Sequence, residues 1–476
     1  MPVIFKKILG FSVDFQTCSM DYISTRDNSK SKTTASKAIV QGLAPDGGLY
    51  VPCYFPVCKD FIGLPYEQMA LRILKFYLTD FTDDELAAYI HAAYHQNLPV
   101  HVNHCYLELF HGRTSAFKDV ALQLFPYLLT ASLAKNGMKQ TAVILTATSG
   151  DTGSAVLAGM ANVPNTQAIV FYPTAGVSRL QRLQMTTQTG DNVSVFGIKG
   201  NFDDAQTAVK ELFIDKEFQA EFAADYLFTS ANSINLGRLL PQIVYYFYCY
   251  SELVCRGEIR EGDPVNYVVP TGNFGNILAG YYAKKMGLPV HKLICATNSN
   301  SVLYDFIRTG VYDKKRDLNI TLSPSMDILI SSNLERFIYD IGGCDIVNCA
   351  YKSLSNNGIF TLNLSQDVLD ADFATDRETI ETIRNVFRSS DYILDPHTAV
   401  GQCVYEKYRT GTGDETHTMM LATASPYKFP ETIERAIGKV LDNPPEHLKR
   451  LEEKQVLYPF EVEDVRLAVK RAIIRD

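Results

Sequence analysis

Tryptophan is missing from this 476-residue chain, and so are most signatures that assign a function at sight. The ten cysteines are scattered and never form CxxC. No cysteine–histidine set has zinc-ligand spacing, so no metal site is expected. There is no GxxxxGK[ST] loop and no GxGxxG after a strand. That leaves out the common nucleotide-hydrolysing and dinucleotide-binding fingerprints. No long basic run occurs, so nucleic acid is not an expected partner. No apolar run reaches membrane-spanning length; 244–254 is too short and carries polar residues. Internal repeats and low-complexity tracts are also lacking.

What is present is the composition of a globular protein, 46% hydrophobic and 21% charged, long enough for two or three domains. The net charge of −8 favours solubility and says nothing sharper. Scattered cysteines suit a reducing compartment, and the expected location is cytoplasmic. Lys6 and Lys7 precede a short apolar run, but Asp14 interrupts it and no cleavage site follows. Met20 opens the first segment resembling a folded body, so residues 1–19 are expected to be a disordered extension.

Helical periodicity at 66–97, with Thr82-Asp-Asp-Glu85 as a cap, and the turn Ala44–Pro52 place an N-terminal module at 1–100. From 140 onward strands and helices alternate. Strands are expected at 141–147, 168–172, 193–197, 267–270 and 293–296. This is an α/β pattern with mostly parallel sheets and helices on both faces. It divides into a first α/β region at 101–230 and a second at 231–476. Ligands in such sheets bind where strand ends meet helix starts.

The most telling segment is His111-Gly-Arg-Thr-Ser-Ala-Phe-Lys-Asp119. Lys118 opens an apolar helical run over 120–133, which Pro126 is expected to kink. A lysine held against apolar neighbours loses ammonium solvation, so its pKa falls and its amine becomes nucleophilic. A Schiff base with an aldehyde cofactor requires such an amine. Taken alone, a solvated surface charge is the commoner reading.

Four other junctions carry chemistry. Thr146–Gly153 ends a strand and opens a helix whose N-terminus would face an anion such as a carboxylate. Pro270-Thr-Gly-Asn-Phe-Gly-Asn276 has phosphate-cradle character without the P-loop lysine, which favours a bound cofactor phosphate. Asn232-Ser-Ile-Asn235 starts a long apolar helix with more polar groups than one cap needs, and Arg238 follows about a turn later as a candidate anion clamp. Leu421–Phe429 ends a strand at Thr423, whose hydroxyl could face a ring nitrogen. His397, in Asp395-Pro-His-Thr398, is a weaker candidate, because capping and packing explain it equally. Each junction also has a plain reading as a helix cap or tight turn.

Together with Gln41–Pro52, Ser323–Ile328 and Ser331–Asn333, these motifs closely resemble threonine synthases, in order from about residue 21 to 440. The resemblance implies fold type II of the pyridoxal-phosphate enzymes, akin to tryptophan synthase β. That fold has two parallel or mixed-sheet α/β domains with the cofactor between them, plus the N-terminal module. It further implies that Lys118 holds pyridoxal 5'-phosphate as a Schiff base, that Gly272, Asn273, Phe274, Gly275 and Asn276 bind its phosphate, and that Thr423 faces its pyridine nitrogen. Thr148, Ser149, Gly150, Asp151 and Thr152 would take the substrate's α-carboxylate. The implied substrate is O-phospho-L-homoserine, converted with water to L-threonine and phosphate. Asn232, Ser233 and Asn235 are implied substrate contacts, and Arg238, Ser24 and Arg26 are candidates for the substrate phosphate. A monomer or homodimer is expected.

The chain departs from the family pattern at Arg113, Ser115 and Ser425, and has Leu236 where tryptophan is common. Arg113 is expected to add a cation near the cofactor lysine. A phospho-lyase releasing phosphate and 2-oxobutyrate would share every cofactor residue, and a non-catalytic descendant would have lost Lys118 or the cradle.

Overall fold

In the computed structural model, residues 19–174, 177–200, 202–364 and 367–474 are described; the expected extension lies outside them up to residue 18. Met20 is already buried, and its N–H donates to Thr79 Oγ1 at 2.9 Å. The folded body therefore includes Met20, as its sequence position suggests.

Two sheets organise the chain. The five-stranded sheet runs Glu461–Val462, Val193–Ile198, Thr166–Pro173, Thr141–Ala147, Tyr226–Ser230, and every pair is parallel. Its inner strands are continuous apolar runs, buried on both faces, as a parallel sheet covered by helices requires. The six-stranded sheet runs Leu369–Phe373, Val290–Thr297, Val265–Pro270, Thr418–Ala422, Tyr106–Glu108, His101–Asn103. It is parallel except for its last pair, which is antiparallel. The expected strands are all present, within a few residues at their ends.

The linear division expected from sequence differs from the sheets. The strands at 101–108 complete the second sheet, although they precede the first in the chain. The C-terminal strand Glu461–Val462 returns to edge the first sheet, and the helix Val465–Ile474 packs on it. Periodicity reports that a strand exists and not which neighbour it pairs with, so these crossings escape a linear reading.

The N-terminal module pairs Tyr22–Ser24 with Tyr50–Pro52 and packs the helices Ala35–Gln41, Tyr66–Tyr77 and Asp83–Tyr94. Thr82 and Glu85 form the expected capping box. The long helix Leu236–Cys255 runs through the core, with Tyr245 and Tyr246 fully buried. The run after Lys118 is two helices, Lys118–Leu122 and Phe125–Lys135, and not one kinked helix. Pro126 sits in the first turn of the second, where its missing N–H leaves no bond unmade.

Candidate active site

Backbone pairing brings Lys118 to the end of the Thr418–Ala422 strand. Phe117 N–H donates to Thr423 O at 2.8 Å and Ser425 N–H donates to Ser115 O at 3.0 Å, with a bridge between Ala116 and Ala424. Inside the turn, Asp119 accepts from the N–H and hydroxyl of Thr114 at 2.7 and 2.8 Å. Ser115 occupies the left-handed region at φ 57, and its hydroxyl is bonded to His447 Nε2 at 2.7 Å. These contacts fix Lys118 at the first position of its helix.

Lys118 is buried, with Nζ 3.6 Å from Asp151 Oδ2, 3.5 Å from Ser325 Oγ and 4.5 Å above the Phe117 ring. Burial draws its pKa down to about 8; Asp151 pulls the other way, while the charges of Lys428 and Arg238 add to the fall. Burial alone would raise the Asp151 carboxyl, but Lys428 and Lys118 hold it well below its usual range. Lys428 is fully buried, 2.7 Å from Asp151 Oδ1, and donates to Thr114 O at 2.8 Å. Gln181 Nε2 donates to the same oxygen of Asp151 at 2.8 Å.

The turn after Val265–Pro270 forms a cradle. Phe274 takes a left-handed φ of 60 at the head of the helix Gly275–Lys285. Asn276 Oδ1 accepts from the hydroxyls of Tyr245 and Tyr246 at 2.5 and 2.9 Å, which fixes its amide. The 331–333 segment braces the turn: Ser331 Oγ donates to Gly272 O at 2.7 Å, Ser332 Oγ to Asn273 Oδ1 at 3.2 Å, and Asn333 Nδ2 to Asn273 O at 2.9 Å.

A cavity of about 1070 Å³ joins these parts. Three buried polar atoms of residues on its walls have no hydrogen-bond partner among the described residues: Asn276 Nδ2, Arg238 Nε and Asn232 Oδ1. Buried polar atoms are rarely left unpaired, so donors and an acceptor without partners around a lysine of lowered pKa fit an anionic, aldehyde-bearing cofactor.

Three family models match in succession: the threonine synthase N terminus over 21–94, the pyridoxal-phosphate-dependent enzyme over 95–423, and the threonine synthase C-terminal region over 398–473. Threonine synthase of Saccharomyces cerevisiae is 38% identical, the match covering 96% of this chain and 98% of that protein. The chain belongs to the threonine synthase family. The Pseudomonas aeruginosa threonine synthase is 39% identical over 95% of this chain and 98% of its own. The crystal structure of pyridoxal-phosphate-bound threonine synthase from Brucella melitensis superposes with a TM-score of 0.85, at 35% identity, covering 96% of this chain and 99% of that one. The chain is therefore a pyridoxal-phosphate-dependent lyase of fold type II.

Of the residues singled out from its sequence, Lys118, Gly272, Asn273, Phe274, Gly275, Asn276 and Thr423 all line the cavity. So do Thr148, Ser149, Asp151, Thr152, Asn232, Ser233, Arg238, Arg26 and His397. Three do not. Gly150 lies behind the wall, at φ 130 against Gln181. Asn235 caps the Leu236–Cys255 helix through Gly237 N–H at 2.9 Å and donates to Ile39 O and Ser230 O, which occupies its whole amide. Ser24 Oγ is taken up by Asp46 and by the N–H of Arg26.

Asp151 also differs from its expected part, since its charge is opposed to a carboxylate ligand and already serves two lysines. Arg26 is held by a bidentate pair with buried Glu335 at 2.9 and 2.7 Å, so only part of its charge reaches the cavity. Arg113 faces a separate groove of about 760 Å³ with Gln123 and Lys139, and not Lys118. His397 donates from Nδ1 to Asp395 at 2.8 Å and accepts the Ser325 N–H at Nε2, while Ser325 Oγ donates to Asp151 at 3.1 Å. Sequence reasoning passed over Lys428, Ser325 and Glu335. Each stood in or beside a quoted motif, but the signal for it is a spatial partner far along the chain.

Proposed function

We propose that the chain performs the family reaction, converting O-phospho-L-homoserine and water to L-threonine and phosphate, at the cavity around Lys118. The observation that carries this reading is a buried lysine of depressed pKa in one cavity with a braced cradle whose Asn276 Nδ2 has no partner among the described residues. Gly272, Asn273, Phe274, Gly275 and Asn276 would hold the cofactor phosphate at the head of a helix, where N–H groups and the dipole favour an anion. Thr423 would face the ring nitrogen and Lys118 would hold the aldehyde carbon. When bound, pyridoxal phosphate spreads the negative charge left at the substrate's Cα into its ring.

The protein's share is proton handling, anion binding and exclusion of water. The Lys118 amine takes the Cα proton and returns it, which requires a pKa near neutrality. Ser149 and Thr152, with the N-terminus of the helix Asp151–Met160, receive the α-carboxylate. Arg238, with Asn232 and Ser233 beside it on the cavity wall, faces the substrate's anionic groups, its buried Nε without a partner among the described residues. Arg26 supplies a weaker attraction through its Glu335 pair. Closure over the substrate would keep bulk water out while a Cβ proton is removed and the Cγ–O bond to phosphate breaks; one water then supplies the hydroxyl at Cβ, and Cγ takes up a proton. The same reading keeps a cytosolic monomer or homodimer acting on a small molecule.

Product analysis with O-phospho-L-homoserine tests this reading. Threonine and phosphate in equal amounts, lost in Lys118→Ala, are the expected result. Phosphate with 2-oxobutyrate and little threonine would move the assignment to a phospho-lyase.

A further inference from the structure

Two histidines and a buried glutamate converge at the edge of the six-stranded sheet, outside the cavity. His101 stands opposite Glu108 in the antiparallel edge pair, so the two side chains share a face. His111 follows Glu108 by three residues. Glu108 Oε2 lies 2.6 Å from His111 Nε2 and 3.5 Å from His101 Nδ1. All three ligand-type atoms fall within 4.8 Å of one another.

We propose that His101, Glu108 and His111 bind a divalent transition ion of the zinc class, with the remaining coordination open to water. An ordinary histidine–glutamate pair needs one imidazole, whereas here two ring nitrogens approach the same carboxylate oxygen. The other oxygen, Oε1, is held by Asn103 Nδ2 and the Tyr392 hydroxyl, both at 2.8 Å. Such outer contacts orient a metal-binding carboxylate and leave its second oxygen to the ion.

Donor type selects the ion. Two imidazoles and one carboxylate suit zinc and its neighbours, and offer too few oxygens for calcium or magnesium. Three protein ligands plus water is the pattern of an open zinc site. Ligand bonds of about 2.0–2.2 Å set tetrahedral donors about 3.4 Å apart. His101 already stands at that spacing from Glu108, and His111 would retreat by less than about 1 Å. The two histidine side chains are 60% and 42% exposed against 6% for Glu108, so the outer side is open to ion and water. The spacing H-x6-E-x2-H matches no familiar zinc pattern, because strand pairing assembles the site. A bound ion would tie the edge hairpin to the turn that leads into Lys118.

A second cluster, Glu67 with His91 and His95, divides its histidines between the two carboxylate oxygens, at 3.0 and 3.4 Å, and is open to solvent. It is silenced in the test. Calorimetric titration with zinc is made on the holoenzyme carrying His91→Asn and His95→Asn. One zinc per chain is expected. Adding His101→Asn or His111→Asn should weaken it at least tenfold, with the cofactor's visible absorbance unchanged. Zinc should also raise the melting temperature of the parent and not of either variant. Undiminished zinc affinity in both variants would overturn the proposal. So would loss of zinc binding on silencing the second cluster alone.

Discussion

Asp151 lies between two buried lysines, its Oδ1 2.7 Å from Lys428 Nζ and its Oδ2 3.6 Å from Lys118 Nζ. Facing Lys118 alone, this carboxylate would hold it as an ammonium ion. Lys428 takes the shorter contact and repels a second positive charge nearby, so burial prevails at Lys118 and its pKa falls to about 8. One anion thus serves two buried lysines, and Lys118 is the one whose pKa is drawn down.

Lys428→Met should reverse this balance. Asp151 would turn to Lys118, raise its pKa, and move the acid limb of the kcat profile, which reports the Lys118 amine freed once substrate is bound, to higher pH. Turnover at neutral pH should fall tenfold or more. Lys428→Arg keeps the charge and should restore most of the profile. Breaking a buried pair costs about 3–5 kcal/mol, so circular dichroism must accompany the kinetics. An unmoved acid limb in a folded Lys428→Met protein would contradict the argument.

Stability should carry the same signature in the cofactor-free protein. Lys118 titrates near 8 when folded and near its ordinary value, about 10.4, when unfolded. Between those values the unfolded chain binds more protons, so this group's contribution to stability rises with pH. It is unfavourable by up to about 3 kcal/mol below pH 8, and that penalty vanishes above about pH 10. The measurement is the stability difference between wild type and Lys118→Met by urea unfolding from pH 7 to 10. Parallel curves would show that Lys118 is not depressed.

Asn235→Ala should destabilise the fold without weakening substrate binding. It removes a helix cap and a donor to two carbonyls, together about 2–4 kcal/mol. KM for O-phospho-L-homoserine should stay within twofold. A large rise in KM with unchanged stability would return Asn235 to the substrate site.

Much of this was legible in sequence because local physics writes local signals. The Thr82–Glu85 capping box, the apolar strand at 141–147 and the Gly272–Asn276 turn each declare themselves within a few residues. Lys118 is singled out as the candidate cofactor lysine only through the ordered set of motifs. The Lys428–Asp151 pair was not legible, since 277 positions separate its members and either side chain alone reads as surface charge. Asn235 misled for a related reason: a cap and a ligand contact use the same residue type at a helix start. Arg113 sits close to Lys118 in sequence, but the turn directs it into another groove.

The sharpest steric test is Gly272→Ala set against Gly275→Ala. A Cβ at 272 would lie 2.6 Å from the carbonyl oxygen of Ser325, a backbone atom that cannot step aside cheaply. Ser325 is itself fixed through His397 to its N–H and through its hydroxyl to Asp151, so displacement there disturbs both the cradle and the Lys118 network. A Cβ at 275 meets side chains and no backbone, Ser233 at 3.3 Å and Asn333 Nδ2 at an ordinary 3.5 Å, so Ser233 need give by only a few tenths of an ångström. Gly272→Ala should therefore weaken pyridoxal phosphate binding at least tenfold, read by fluorescence titration of the cofactor-free protein. Gly275→Ala should weaken it by less than threefold. Equal effects at the two positions would mean that the cradle tolerates movement at Ser325, and that Ser325 does not join the Gly272–Asn276 turn to Lys118.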